Sequence, residues 1–395
     1  MTPAARVQAA IELLDEVIAA TAARGAAADV LAARYFKQRR YAGSKDRRAI
    51  NDLVWRAIRA FGPRPANGRA AMVALADEDQ QLAALFDGVG HAPAPMTAGE
   101  PRAARAPVAG SWGDQFYDGM DAAEIDALMA RAPLDLRLKR GVTIPTDWLD
   151  SCQPLHPLLN GCRFDPPVDV SQHPLVEGGS AEVQDEGSQW IARLADARPG
   201  ATVVDLCAGG GGKTLALADA MGGQGRLIAC DVDRSRLQRL PPRAERAGVD
   251  GIELRLLDPG RESAALADLA GRCDLVLIDA PCSGTGTWRR NPEARWRDDP
   301  RAFARLCAEQ ARLIDIGASL VAPGGALVYA VCALTRAEGQ EQVEQFLARE
   351  QHWRASDAWQ SGALPHGKGR PVGPGLILMP AHDGCDGFFM ARLTR

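Results

Sequence analysis

The sequence of 395 residues has no long apolar run, no paired cysteine motif and no excess of basic charge. A membrane-spanning helix needs roughly 18 consecutive apolar residues, and no stretch comes near that length. The amino terminus also lacks the charged-then-apolar pattern of a secretion signal. Nine scattered cysteines show neither C-x-x-C pairs nor zinc-ligand spacing. We therefore predict a cytoplasmic protein with free thiols, no bound metal and no membrane contact.

The charge balance excludes a global electrostatic attraction to nucleic acid, because 46 basic residues stand against 50 acidic ones. Any contact with RNA must then depend on local basic patches. One patch is predicted where basic and aromatic residues alternate along a helix at 28–38 and a helix that opens after an N-cap at Ser44. Its candidate phosphate-binding side chains are Arg39, Arg40, Lys45, Arg47 and Arg48. A solvated helix face above core aromatics explains the same pattern, so both interpretations stay open.

Composition and periodicity divide the chain into four predicted parts. Residues 1–87 repeat apolar positions at helical spacing, and residues 88–125 form an Ala, Pro and Gly-rich linker with a short helix. Residues 126–180 form a small α+β unit, which includes a half-buried strand at 134–139 with a basic outer face. In residues 181–395, apolar strands alternate with helical segments.

This alternation predicts an α/β fold with a doubly wound, mostly parallel sheet. The five predicted strands are 202–206, 226–230, 252–256, 274–278 and 326–331. A glycine-rich loop, residues 207–212, follows the first strand and leads into a helix that begins near Lys213. Glycines let the backbone approach a ligand closely. The second strand ends in Asp231, at about the twenty-residue offset where a carboxylate binds ribose hydroxyl groups in dinucleotide folds.

Two strands of the predicted sheet lead into cysteines. Residues 279–286, Asp-Ala-Pro-Cys-Ser-Gly-Thr-Gly, place a carboxylate, a thiol and a hydroxyl at the carboxyl end of a strand, where open α/β sheets bind ligands. Cys282 taken alone is equally explained as a small buried residue. The strand 326–331 delivers Cys332 to the same edge, so we interpret the two thiols as a reactive pair.

A second basic and aromatic cluster follows the first of these cysteines. Arginines at six positions between 289 and 305 alternate with Trp288 and Trp296. We predict a surface that binds a polyanion there, with Arg289 and Arg290 as candidate RNA contacts.

Together these blocks resemble the Sun-type family of RNA cytosine-5 methyltransferases, which use S-adenosylmethionine. The matching blocks are 183–185, 211–214, 231–233, Asp258, 279–286, 289–292, 329–332 and 386–389. The resemblance implies a Rossmann-like class I methyltransferase fold. It also implies that residues 126–180 are an RRM-like insert. The amino-terminal region resembles the NusB-like helical domain of the bacterial small-subunit ribosomal RNA methyltransferases in this family.

The resemblance assigns three catalytic residues. Cys332 is the nucleophile that adds to C6 of cytosine, and Cys282 assists elimination and release of the methylated base. Asp279 binds the cytosine ring at N3 and withdraws electron density. Thiolate addition matters because C5 is a poor nucleophile until the ring becomes an enamine-like carbanion equivalent.

The resemblance also assigns the S-adenosylmethionine site. The loop residues Cys207, Ala208, Gly209, Gly210, Gly211 and Gly212 line the cofactor, Asp231 binds its ribose, and Asp258 binds its adenine amino group. Lys213 and Asp279 are further candidate contacts, although a solvated first-turn lysine is an alternative for Lys213. Methyl transfer from this cofactor needs no metal.

The chain departs from the family pattern at two places. Val331 and Ala333 flank the nucleophile where threonine and serine are usual, and Gly209 and Gly210 replace alanine and proline. The sequence therefore does not reveal what activates Cys332.

We predict methyl transfer to C5 of a cytosine in RNA, with 16S rRNA favoured over tRNA because of the amino-terminal helical region. A monomer is expected. A non-catalytic RNA-binding or ribosome assembly factor with the same fold is an alternative function. A nicotinamide-dependent dehydrogenase is a weaker one, because the loop is not G-x-G-x-x-G and the two cysteines would have no role.

Overall fold

The structure, a computed structural model, describes residues 1–23, 25–105 and 110–395. Its internal contacts divide the chain into two compact units. The first, here named the helical unit, comprises Met1–Phe116, Met120–Met129 and Thr287–Asp299. The second, the sheet unit, comprises Tyr117–Gly119, Ala130–Gly286 and Pro300–Arg395. The four-part division of the chain stays a prediction. Its last part, residues 181–395, includes segment 287–299, which the contacts place in the helical unit.

The helical unit forms because its amino-terminal segments carry apolar stripes at helical spacing. Its α-helices are α1 Pro3–Ala22, α2 Ala28–Gln38, α3 Ser44–Ala60, α4 Gly68–Ala76, α5 Gln80–Ala83 and α6 Ala122–Met129. A Cβ at Gly68 would lie 2.3 Å from the Ile11 carbonyl oxygen, so α4 begins in close contact with α1. Helix α3 is capped by Gly43 rather than by Ser44, because the Asp46 carboxylate accepts the Gly43 N–H at 3.2 Å.

The segment predicted as a linker has no helix or strand between residues 88 and 105. It is nevertheless held to the helical unit by ion pairs. Arg69 binds Glu100 at 2.7 Å, and Arg102 binds Asp77 at 2.6 Å. By its contacts this segment is therefore part of the helical unit rather than a free connection.

The first part of the sheet unit is a small antiparallel sheet with the strand order β2-β3-β1-β4. Its strands are β1 Leu134–Leu138, β2 Gln153–Pro154, β3 Gly161–Phe164 and β4 Ala181–Val183. The strand predicted at 134–139 is confirmed, but its predicted exposed basic face is wrong. Asp135 is 1% exposed and accepts hydrogen bonds from Arg163 Nε at 2.6 Å and from the Glu186 N–H at 2.9 Å. Both faces of β1 are thus packed.

The main sheet contains nine strands within the described residues, and its parallel core confirms the predicted α/β fold. Its strands are β5 Thr202–Asp205, β6 Arg226–Asp231, β7 Ile252–Leu256, β8 Cys273–Asp279, β9 Val321–Val331, β10 Arg354–Ala355, β11 Arg370–Val372, β12 Gly375–Leu378 and β13 Phe388–Thr394. The order is β7-β6-β5-β8-β9-β13-β12-β11, and β10 pairs with β13. Strands β5 to β9 pair in parallel, whereas β10 to β13 add antiparallel pairs.

Helices connect and cover these strands. In the sheet unit they are α7 Pro174–Glu177, α8 Glu186–Ala195, α9 Gly212–Met221, α10 Arg234–Leu237, α11 Leu240–Arg246, α12 Glu262–Ala265, α13 Pro300–Leu320, α14 Gln340–Arg349 and α15 Pro380–Asp383. Within the described ranges, no helix combines the length and the apolar character that crossing a membrane would require.

Candidate active site

The carboxyl ends of the parallel strands bring the predicted site residues to one edge of the main sheet. Asp205, Asp231 and Asp279 are the last residues of β5, β6 and β8. Asp279 pairs in register with Ala330, so Cys332 emerges from β9 at the same edge. Ligands of open α/β sheets bind at this edge.

The two thiols face each other at this edge. Cys282 Sγ lies 3.2 Å from Cys332 Sγ, and both cysteines are free. Their loops are joined by two hydrogen bonds. The Gly286 N–H donates to the Cys332 carbonyl at 3.0 Å, and the Leu334 N–H donates to Thr285 Oγ1 at 2.9 Å. These two bonds hold the loops that carry the thiols next to each other.

Lys213 supplies a buried cation beside these groups. Its Nζ lies 2.7 Å from Asp279 Oδ2, and its side chain is 11% exposed. Burial alone would lower the pKa of Lys213, but the charge and hydrogen bond of Asp279, with the charge of Cys332, outweigh it and raise that pKa. The lysine thus stays an ammonium group at neutral pH, and the alternative of a solvated first-turn lysine is wrong.

The two thiols have different surroundings. The pKa of Cys282 is raised well above its ordinary value by its hydrogen bond with Cys332, then by burial and by the charges of Cys332 and Glu338. Cys282 is consequently a protonated thiol near pH 7, and either sulfur can be the donor in its hydrogen bond with Cys332. The charge of Cys332 is a further, smaller cause that raises the pKa of Lys213.

The glycine loop forms a cradle with little room for side chains. Gly209 and Gly211 have φ values of +54° and +85°, and a Cβ at Gly211 would lie 2.2 Å from Leu240 Cδ1. Asp231 fixes the loop, because Oδ2 accepts the Gly209 N–H at 2.7 Å and Oδ1 accepts the Asp233 N–H at 2.7 Å. Backbone is thereby exposed to a ligand at the end of β5.

One buried acceptor next to this loop has no partner. Asp205 Oδ2 accepts the Thr214 hydroxyl at 2.6 Å, whereas Oδ1 is buried without a hydrogen-bond partner among the described residues. Burial raises the pKa of Asp205 to about 7. An unpaired buried oxygen is costly, which is the signature of a site that a ligand donor completes. Asp205 was missed in the sequence, although a strand-end acid before a glycine loop was a signal for it.

Asp258 is exposed and follows β7. The Leu257 N–H donates to the Asp231 carbonyl at 2.9 Å, so the ends of β6 and β7 are connected next to the cradle. Within the described residues, no three His, Cys, Asp or Glu side chains group as metal ligands.

Residues 192–394 match the model of the RsmB/F family of 16S rRNA methyltransferases. The chain belongs to this family. It is 36% identical over 307 residues to the ribosomal RNA small subunit methyltransferase B of Xanthomonas campestris, over 75% of this chain and 67% of the relative. It is 38% identical over 232 residues to the "Probable ribosomal RNA small subunit methyltransferase B" of Synechocystis, over 57% of this chain and 50% of the relative. The chain thus spans half to two thirds of the length of these relatives.

Solved structures share the fold of this RsmB/F-family chain. The crystal structure of PH0851 superposes with a TM-score of 0.77 at 20% identity, over 100% of this chain and 99% of that one. The structure of NSun6 from Pyrococcus horikoshii with SFG superposes with a TM-score of 0.50 at 25% identity, over 57% of this chain and 56% of that one. These likenesses support the methyltransferase fold.

In the helical unit of this RsmB/F-family chain, the five candidate basic side chains lie on α3 and on the turn between α2 and α3. Arg40, Lys45, Arg47 and Arg48 are exposed, and Arg39 is half-buried with its guanidinium 3.6 Å from the centre of the Tyr35 ring. The aromatic residues of the patch differ in burial. Tyr35 and Phe36 belong to the core, whereas Tyr41 is 71% exposed. RNA contact by the five basic residues stays a prediction.

The second basic cluster is mostly buried, whereas the sequence predicted an exposed surface. Trp288, Arg289, Arg295 and Trp296 are buried in the helical unit. Arg295 donates to the carbonyls of Ile58 and Phe61 at the end of α3, and Trp296 Nε1 donates to a neighbouring carbonyl. The prediction of an exposed basic and aromatic surface is wrong for these four side chains, because all four are buried and two of them, Arg295 and Trp296, donate to carbonyls at the end of α3. RNA contact by Arg289 or the half-buried Arg290 stays untested.

Proposed function

We propose that the protein methylates C5 of a cytosine in 16S rRNA and uses S-adenosylmethionine as the methyl donor. The observation that carries the proposal is the thiol pair with a buried ammonium group beside it, at the ligand-binding edge of the sheet. The names of the relatives favour ribosomal RNA over tRNA as the substrate.

The cradle fits the proposed cofactor. The four glycines 209–212 offer backbone without a Cβ, and the unpaired Asp205 oxygen offers an acceptor to a ligand amino or hydroxyl group. Asp231 would hold the ribose and Asp258 the adenine amino group. When bound, S-adenosylmethionine supplies an electrophilic methyl group.

Cys332 is the proposed nucleophile toward C6. The Lys213 ammonium stabilises its thiolate, and the Cys282 S–H donates to it until the cytosine arrives. A new S–C6 bond then forms, and the ring electrons move toward C5. Asp279, held by Lys213 at 2.7 Å, would bind N3 and stabilise the charge that develops there.

After methyl transfer, C5 carries a proton that must leave before Cys332 can depart. That proton passes to water, and we assign to Cys282, whose sulfur lies next to that of Cys332, the assistance of this elimination: its S–H donates to the departing Cys332 sulfur. The C5–H electrons re-form the C5–C6 double bond, the S–C6 bond breaks, and Cys332 leaves as a thiolate. The target base has to leave its stack to reach both sulfurs.

The test is adduct trapping with the full chain, S-adenosylmethionine and a 16S rRNA fragment. We expect Cys282→Ala to accumulate a protein–RNA adduct that resists denaturation, and Cys332→Ala to form none. Cys152→Ala, a half-buried thiol beside the small sheet, is the matched control and should turn over normally.

Bisulfite sequencing of RNA from cells with and without the gene identifies the nucleotide. We expect one protected cytosine in 16S rRNA to lose its protection in cells without the gene. Loss of protection in tRNA would instead identify tRNA as the substrate. Unchanged protection, together with a Cys332→Ala strain that behaves like wild type, would favour the non-catalytic assembly factor. The cytoplasmic location and the monomeric state stay predictions.

A further inference from the structure

A fully buried carboxylate lies between the two cysteine loops and is used by none of the steps above. Glu338 is 0% exposed and ends a 3-10 helix, Arg336–Glu338, that follows Cys332. It has no ion pair with a lysine or arginine of the described residues. A buried charge without a cation is costly, so its hydrogen bonds must hold it.

Four donors satisfy this carboxylate. Ser283 donates its N–H to Oε1 at 2.7 Å and its hydroxyl to Oε2 at 2.5 Å. The Thr335 hydroxyl donates to Oε2 at 2.8 Å, and Gln310 Nε2 donates to Oε1 at 3.1 Å. Four donors match the acceptor capacity of an ionised carboxylate.

These donors belong to both cysteine loops. Ser283 directly follows Cys282, and Thr335 lies three residues after Cys332. Gln310 of α13 also donates to the Pro281 carbonyl at 2.9 Å, on the other side of Cys282. Glu338 therefore connects the backbone around one thiol with the loop that carries the other.

Glu338 also places a negative charge on one side of the thiol pair. It is among the causes that raise the pKa of Cys282, after the hydrogen bond with Cys332 and burial. The Lys213 cation is bound to Asp279, and the charge of Cys332 is among the causes that raise the pKa of Lys213.

Two further titratable side chains near Glu338 are neutral near pH 7. Burial raises the pKa of Cys307, on α13, to about 11, and burial raises the pKa of Tyr329, on β9, well above its ordinary value. The Tyr329 hydroxyl donates to the Glu338 carbonyl at 2.6 Å. Neither side chain offsets the charge of Glu338.

We propose that Glu338 is a positioning residue: its four hydrogen bonds join the two cysteine loops and hold a carboxylate near Cys282, which disfavours a thiolate at Cys282 relative to one at Cys332. The proposal deepens the proposed function and rests on it for the roles of the thiols.

The first test is alkylation of the wild-type chain with iodoacetamide at pH 7, followed by peptide mass spectrometry. Each reaction forms an S–C bond and releases iodide, and only the thiolate reacts at an appreciable rate. We expect Cys332 to react at least about tenfold faster than Cys282, which corresponds to one pKa unit. Faster alkylation of Cys282 would overturn the proposal without any variant.

The second test isolates Cys282 in a Cys332→Ser background. Here Glu338→Gln removes the charge but keeps the size of the side chain, and we expect the pH midpoint of Cys282 alkylation to fall by about one unit. Glu338→Asp keeps the charge and should return the midpoint toward that of the background. The matched control is Glu262→Gln, because Glu262 is also buried but pairs with Arg312 at 2.6 Å.

An unchanged midpoint in Glu338→Gln, with native circular dichroism, would refute the role of the charge. An equal fall in Glu262→Gln would show general loosening and would refute it too. Alkylation needs neither RNA nor cofactor. A failure of adduct trapping with an intact alkylation pattern would therefore reject the methylation chemistry and not the thiol assignment.

Discussion

Replacing Lys213 with methionine tests the activation of Cys332 most directly. The change removes the ammonium group but keeps an unbranched side chain of similar length. An opposite charge within a few ångströms shifts the ionisation of a group by roughly 1–3 pH units. Since Lys213 is mostly buried, screening by water is limited, and we expect about one to two units here.

The expected result is a change in the pH dependence of the single-turnover methylation rate. The midpoint should move upward by about one to two pH units, and the rate at pH 7 should fall about 10- to 100-fold. Because a higher pH restores the thiolate, the Lys213→Met rate should recover toward the wild-type rate near pH 9. The assay uses the full chain, a 16S rRNA fragment and labelled S-adenosylmethionine between pH 6 and 9.5.

Lys368→Met is the matched control, because Lys368 is a similarly buried lysine in the same unit. It pairs with Glu186 at 2.6 Å and is 15% exposed. This variant should lose stability without moving the midpoint. A Lys213→Met rate that falls equally at every pH, or an equal shift in Lys368→Met, would refute the activation by Lys213.

Three further predictions concern stability and binding. Gly211→Ala puts a Cβ 2.2 Å from Leu240 at φ +85°, so we expect a loss of more than about 1 kcal/mol in urea unfolding and at least tenfold weaker S-adenosylmethionine binding by calorimetry. The pKa of Asp205, about 7, is raised above its unfolded value, so its contribution to stability is present at low pH and is lost between about pH 4 and 7. Urea unfolding at pH 5 and 7.5 should show the upper part of that loss in wild type, about 2–3 kcal/mol, and a smaller one in Asp205→Asn. Arg295→Met should leave the α3 carbonyls unpaired and speed hydrogen exchange in α3, whereas exposed Arg48→Met should not.

Local patterns were sufficient for the parallel core of the fold. Strands β5 to β9 were predictable because the strands of a parallel sheet are short, mostly apolar runs, and here glycine or acidic residues bound them. The antiparallel strands β10 to β13 were not predicted: β10, β11 and β12 have two, three and four residues, too few to show periodicity, and β13 was recognised only in part, as the block 386–389. Segment 287–299 was assigned to an exposed surface. A basic and aromatic composition does not reveal whether the side chains face solvent or donate hydrogen bonds to buried carbonyls.

The sequence by itself determined which chemical groups the site contains. Cys282, Cys332, Asp279 and the glycine loop were identifiable because they follow apolar strands in a familiar order. Only the tertiary structure decided how they act on one another. Lys213 and Asp279 are 66 residues apart and the two cysteines 50 apart, so their contacts depend on strand order and register, which no local pattern encodes. Glu338 had no sequence signal at all, because an isolated glutamate becomes a buried link only when two loops and a helix converge on it.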